Sequence, residues 1–289
     1  MLPTTSELIK KYSLDAKKSL GQNFILDKNI TDKIAKSAGN LSEYEILEIG
    51  PGPGALTRSI LDAGAKKLTV IEKDERCLAA LAELKEFYGK RLEIINADAL
   101  EVSEEALFAG SAEKIKIIAN LPYNIGTVLL LKWLKIMPKI ASITIMLQKE
   151  VIDRIVAKPN TKHYGRLSVM VNHLAQSKML FTVNPTVFVP APKVTSAIVQ
   201  IVPYENPLHK VEFQKLESLV AAAFSQRRKM IKSALKNFYF TNLTTAQNDD
   251  ILAIKNNNAL LALEKCNIDG NLRAENLTIQ QFCELAIYS

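Results

Sequence analysis

Glu45–Ile46–Leu47–Glu48–Ile49 runs straight into Gly50–Pro51–Gly52–Pro53–Gly54, and a helical pattern opens at Ala55. A short, largely apolar run of this kind reads as a buried strand. Glycines at its end let the backbone turn sharply and approach a ligand that a Cβ would exclude. The helix that follows presents its N-terminal amides to the same place. The spacing is G-x-G-x-G, one residue shorter than the G-x-G-x-x-G of nicotinamide-dinucleotide sites. No Gly-Lys-Ser/Thr follows the glycines, which disfavours a phosphate-binding loop.

Outward from that loop, Leu68–Glu72, Leu92–Asn96, Ile115–Ala119 and Ser142–Leu147 read as further strands. Ala55–Ala63, Glu75–Phe87, Ser103–Phe108 and Thr127–Met137 read as the helices between them. Strands apolar on consecutive positions need cover on both faces. Their alternation with helices implies right-handed crossovers and a mostly parallel sheet, an α/β fold of Rossmann-like type. Met179–Val183 and Ala197–Val202 flank Asn184–Pro185 and Pro190–Ala191–Pro192, and read as a closing antiparallel hairpin. Beyond Pro203 and Pro207 the character changes. Phe213, Leu216, Val220 and Phe224 recur at helical spacing, as do Ile231, Leu235 and Phe238; Asp250–Cys266 and Thr278–Ile287 continue the pattern. The expected organisation is an α/β domain over 1–205 and a small all-helical domain over 206–289.

Ligands of open α/β sheets bind beyond the carboxyl ends of the strands. Glu72 closes the strand after the glycine loop, where a carboxylate can accept hydrogen bonds from both hydroxyls of a ribose. Asp98 follows the next strand, and Asn120 the one after. Taken singly, each reads equally well as a turn or a solvated acid. In register at successive strand ends, they converge on a nucleoside site.

Asn120–Leu121–Pro122–Tyr123 then carries a second signal. The exocyclic amino group of adenine is a poor nucleophile, because its lone pair is delocalised into the ring. A site that accepts both N–H hydrogens favours a pyramidal nitrogen. The Asn120 side-chain oxygen is one acceptor and a backbone carbonyl, that of Leu121, the other; Pro122 fixes the turn. Tyr123 can stack on a base that has left its helix. The plainer alternative is a strand-to-helix turn capped by Asn120 with Tyr123 buried.

The bulk composition agrees with a globular protein: 289 residues, 48% hydrophobic and 23% charged. Lys plus Arg is 37 against 30 acids, a net charge of +7 that suits a polyanionic partner. The three cysteines form no CxxC pair and the three histidines do not cluster with acids at ligand spacing, so neither a disulfide framework nor a metal site is expected. No run approaches the length of a membrane span and no signal peptide is read, so a cytoplasmic location is expected.

The chain resembles the small-subunit ribosomal RNA adenine dimethyltransferases. The likeness is carried by Lys18–Ser19–Leu20–Gly21–Gln22–Asn23–Phe24–Ile25, by Glu48–Gly54 with Leu56–Thr57, and by Ile71–Glu72–Lys73–Asp74. It continues through Asn120–Ile125, Tyr164–Val169, Phe188–Val194 and Phe224–Lys229. The resemblance implies a methyltransferase that uses S-adenosylmethionine and no metal. It implies dimethylation of the N6 atoms of two adjacent adenines near the 3′ end of 16S rRNA, by a monomer acting on immature small ribosomal subunits. It implies donor contacts at Asn23, Ile25, Gly50, Glu72, Asp98 and Asn120; the glycine loop itself adds Gly52 as a point of close backbone approach, and the motif chemistry above places catalysis at Asn120, Leu121, Pro122 and Tyr123. RNA contact is expected at Lys17, Lys18, Arg227, Arg228 and Lys229. Asn23 and Ile25 enter through the resemblance alone; read plainly they belong to a loop. Gly126 stands where the family usually has Ser, and Thr195 where an acid is common. Two other readings stand beside this one: a large-subunit rRNA adenine N6-methylase of the macrolide-resistance type, and a protein that acts mainly as a ribosome assembly factor.

Overall fold

The computed structural model describes residues 2–16, 21–207, 209–240 and 251–289, the backbone alone over 251–257. In chain order its strands are β1 (Phe24–Ile25), β2 (Glu45–Ile49), β3 (Leu68–Glu72), β4 (Leu92–Asn96), β5 (Ile115–Asn120), β6 (Ile140–Gln148), β7 (Ala175–Val183), β8 (Phe188–Val189) and β9 (Ser196–Pro203). Seven form one sheet in the order β4-β3-β2-β5-β6-β9-β7, and β1 pairs antiparallel with β8 apart from it. The pairs β2–β3, β3–β4, β2–β5 and β5–β6 are parallel, while β9 runs antiparallel to β6. The chain therefore moves outward through β3 and β4 on one side of β2, then returns to lay β5 and β6 on the other. That reversal leaves a crevice beyond the carboxyl ends of β2 and β5.

The central strands are apolar on successive positions because both faces are covered. Every residue of β3 is buried, whereas the edge strand β4 is only partly so. The helices of this part are α1 (Thr5–Lys11), α2 (Lys28–Ser37), α3 (Ala55–Asp62), α4 (Glu75–Tyr88), α5 (Glu104–Leu107) and α6 (Gly126–Leu134). Leu8 of α1, Ile34 of α2, Ile60 of α3 and Leu81 of α4 share one hydrophobic cluster with Ile46, Leu68 and Val70 of the sheet. Asp74 caps α4, its side chain accepting from Arg76 N. The buried Trp133 of α6 donates from Nε1 to Glu104 Oε1 at 2.8 Å. Lys132 pairs with Glu104 Oε2 at 2.9 Å and reaches the Ala99 carbonyl at 2.9 Å. This pins α6 to the loop that follows β4.

Two compact units emerge: Met1–Ile152 with Ser177–Pro203, and Asp153–Gln176 with Tyr204–Ser289. The sequence suggests a single cut at 205/206, but 153–176 groups with the C-terminal helices. After α7 (Lys149–Ile155) comes α8 (Arg166–Leu174), which packs on α9 (Phe213–Ser225) and α12 (Ile279–Ile287). Arg166 pairs with Glu217 at 2.8 Å, and the Tyr164 ring meets Phe224 edge-on at 6.1 Å. Phe224 in turn lies 5.7 Å from Phe282. α9 buries Leu216, Leu219, Val220 and Ala223; of the expected stripe, Leu216 and Val220 are buried, while Phe213 and Phe224 flank it half-buried. α10 (Ile231–Ala234) and α11 (Ile251–Lys265) complete the second unit.

Candidate active site

Gly52 has φ +54°, in the left-handed region, and its N–H donates to Glu72 Oε2 at 2.9 Å. A Cβ at this position would lie 3.0 Å from Phe24 Cε1. Glycine is thus demanded by the turn and by a ring that β1 supplies, as well as by any ligand's approach.

Glu72 is buried at the end of β3, and its other oxygen, Oε1, accepts from Asp74 N at 2.7 Å. Two backbone amides fix the plane of the carboxylate, and each oxygen keeps a lone pair for a ligand hydroxyl. Burial raises the Glu72 pKa above its ordinary value, with the amides of Asp74 and Gly52 opposing it. Asp74 accepts from Arg76 Nη2 at 2.6 Å and from Gln22 Nε2 at 2.9 Å. The Arg76 contact holds Asp74 down at about 2. Asp98, beyond β4, accepts from Lys73 Nζ at 2.6 Å and from Leu100 N at 2.9 Å. Lys73 keeps its carboxyl below the usual range.

Asn120 ends β5, and its Nδ2 donates to the Asn23 carbonyl at 3.3 Å. The side-chain oxygen is left as the acceptor. The Pro122 carbonyl accepts from Ile125 N at 3.2 Å and Gly126 N at 3.1 Å, so it is committed to opening α6. The Leu121 carbonyl, one residue earlier, has no such commitment to the helix. Tyr123 places its hydroxyl 2.6 Å from Ser196 Oγ, and burial raises its pKa. Gly126 has a packing reason: a Cβ there would run into Leu147 Cδ2. Leu147 of β6 occupies the space that the serine usual in the family would need.

The expected donor-contact residues, Gly52 among them, and all four residues of the Asn120–Tyr123 motif line one cavity of about 270 Å³. Asn23 and Ile25 reach it because Ile25 pairs with Phe188 across β1 and β8. A model of the ribosomal RNA adenine dimethylase family matches residues 13–288. The chain belongs to this family. It is 47% identical over 288 residues to ribosomal RNA small subunit methyltransferase A of Brucella anthropi, covering 99% of this chain and 96% of that one. The protein of the same name from Chelativorans sp. is 45% identical, with 99% and 97% covered. Among solved structures, a dimethyladenosine transferase from Plasmodium falciparum superposes with a TM-score of 0.77 at 26% identity, covering 91% of this chain and 95% of that one. The 23S rRNA methyltransferase ErmE superposes at 0.66 with 25% identity, covering 92% and 99%. The family fold of S-adenosylmethionine-dependent methyltransferases is thus the fold of the seven-stranded sheet.

One lining residue escapes the sequence pattern. Glu48 sits between Leu47 and Ile49 in the buried part of β2, is itself buried, and accepts from Thr57 Oγ1 at 2.7 Å. Burial pushes its carboxyl up to about 8. A charged residue in the middle of a buried strand was the available signal. Of the basic residues expected to meet RNA, those among the described residues are not part of the cavity. Lys17 and Lys18 lie outside the described residues. Arg227, Arg228 and Lys229 belong to the second unit, in the turn between α9 and α10 and not on a helix. Arg227 is engaged there with Glu275 at 2.9 Å, whereas Arg228 and Lys229 are exposed.

Proposed function

We propose that this chain transfers methyl groups from S-adenosylmethionine to the N6 atoms of two adjacent adenines in a loop near the 3′ end of small-subunit (16S) ribosomal RNA. The observation that carries the reading is that Glu72, Asp98 and the Asn120–Tyr123 turn open onto the same cavity. Family membership and the small-subunit names of the relatives support it.

The residues suit a nucleoside donor: a fixed carboxylate at Glu72 for ribose hydroxyls, Asp98 beyond it, and a glycine loop whose backbone a ligand can approach closely. When bound, S-adenosylmethionine supplies an electrophilic methyl on its sulfonium. Asn23 and Ile25 line the same cavity. The Asn120 oxygen and the Leu121 carbonyl accept the two N–H hydrogens of the target amino group and aim its lone pair. Tyr123 stacks on the extruded base. No strong general base is needed, since the developing ammonium loses its proton readily. The unit of 1–152 with 177–203 then serves as the catalytic part, and the other unit holds RNA through Arg228 and Lys229, which meet phosphates and position without specifying. The substrate is the immature small subunit in the cytoplasm, met by a monomer. Among the described residues no helix is long and apolar enough to cross a membrane.

The test is transfer of labelled methyl to small subunits, large subunits and duplex DNA in parallel, with nucleoside analysis. The expected product is N6,N6-dimethyladenosine in small subunits only. Label in large subunits would move the chain to the activity named for ErmE. Binding to small subunits with no label would leave only an assembly role.

A further inference from the structure

The ring of Tyr123 has a partner that neither the sequence motif nor the proposed chemistry uses. Ser196 is fully buried at the start of β9, and its Oγ lies 2.6 Å from the Tyr123 hydroxyl. The backbone on either side of Tyr123 is already fixed. Leu121 N donates to the Met146 carbonyl at 3.4 Å, and the Pro122 carbonyl takes Ile125 N and Gly126 N. What remains free at Tyr123 is rotation about its two side-chain bonds, and Ser196 holds the far end of that lever. Ser196 is itself anchored. It pairs with Gln148 across β9 and β6, and the preceding Thr195 carbonyl accepts from Lys149 N at 2.9 Å. The line from Asn120 to Ser196 therefore runs across β5, β6 and β9, through one continuous part of the sheet.

We propose that Ser196 is a positioning residue that sets the ring of Tyr123 for capture of the target base; this rests on the methyltransferase reading above. Simple satisfaction of a buried hydroxyl is a weaker account. The fold leaves the Tyr164 hydroxyl, Ser142 Oγ and Thr144 Oγ1 buried without partners, so pairing is not imposed on every buried hydroxyl here. Buried hydroxyls such as those of Ser59 and Ser168 are paired elsewhere in the fold, but the Tyr123 hydroxyl belongs to a ring that lines the cavity. A ring whose tilt is set beforehand loses less rotamer freedom when a base stacks on it, and that gain appears in base capture. The donor side of the cavity has its own bonds and does not share this one.

Ser196→Ala and Tyr123→Phe remove the same hydrogen bond from opposite ends. Each is expected to raise KM for small subunits by about two- to tenfold, the range a single hydrogen bond supports. Donor affinity measured by calorimetry is expected to stay at the unaltered value. The double variant is expected to be no worse than the more affected single variant, because only one interaction is lost. An unchanged KM in Ser196→Ala, or effects that multiply in the double variant, would overturn the role. Should Ser196→Ala fail to fold, Tyr123→Phe alone decides, and an unchanged KM there has the same consequence. Failure of the unaltered protein to label small subunits would remove the function and this role together; an active protein indifferent to Ser196→Ala would remove only the role.

Discussion

On one side of the cavity, Glu72 rests both oxygens against backbone amides and Asp98 is ion-paired with Lys73. On the other, Asn120 and Tyr123 are each steadied by one side-chain hydrogen bond, to the Asn23 carbonyl and to Ser196. The first side is set before any ligand arrives, as suits a donor that is the same in every turnover. The second keeps its acceptors uncommitted, as suits a base that must be extruded from RNA and seated each time. The lesson is that preorganisation here takes two forms. Carboxylates are locked through the backbone, and an aromatic ring is aimed through its distal hydroxyl.

The sharpest way to break this comparison is at Asn120. Asn120→Ala removes an acceptor aimed at the reacting amino group, and transfer is expected to fall about 10²- to 10³-fold, the scale of losing one preset polar contact to a transition state. Binding to small subunits, measured by filter retention, is expected to persist. A variant that loses transfer and RNA binding together would show that Asn120 acts on the fold instead.

The locked side can be probed at Glu48. Its carboxyl titrates at about 8 in the folded protein against an ordinary 4.5. The folded state therefore holds this proton more tightly than the unfolded chain. The resulting stabilisation is complete below pH 4.5 and is lost as pH rises through about 8. Glu48→Gln does not titrate and can still accept from Thr57. Thermal melts of the ligand-free protein should show the variant more stable than the parent at alkaline pH, with the gap closing towards acid. A gap independent of pH would mean that Glu48 is charged throughout.

The smallest expected effect lies outside the cavity. Replacing Arg228 and Lys229 with Ala should reduce the slope of log affinity for rRNA against log salt by about 1.4 to 1.8 if both meet phosphates. Donor affinity should not move. Arg227 is the internal contrast, since it is already paired with Glu275. An unaltered slope in the folded double variant would place the RNA surface elsewhere.

Much of the fold was legible because its strands are short and covered on both faces. The run from Glu45 to Ile49 and the strand ending at Glu72 stand where the apolar pattern puts them. The convergence of Glu72, Asp98 and Asn120 follows from the same alternation, since parallel strands end on one side. What stayed hidden depends on contacts far apart in sequence. β1 and β8 are two residues each, too short for any periodicity, yet their pairing carries Asn23 and Ile25 to the cavity. The grouping of 153–176 with the C-terminal helices is set by tertiary packing, which local pattern does not report. Ser196 looks like any polar residue at a strand start, and its bond to Tyr123 spans 73 positions.

The division of the cavity into a donor side and a base side is tested most directly by calorimetry of S-adenosylmethionine binding to Glu72→Ala and Tyr123→Ala side by side. Glu72→Ala leaves ribose hydroxyls unpaired and should cost about 1–3 kcal/mol of donor affinity. Tyr123→Ala should bind the donor as the parent does, and show its loss only in KM for rRNA. Equal losses of donor affinity in the two variants, or a loss in Tyr123→Ala alone, would contradict the division.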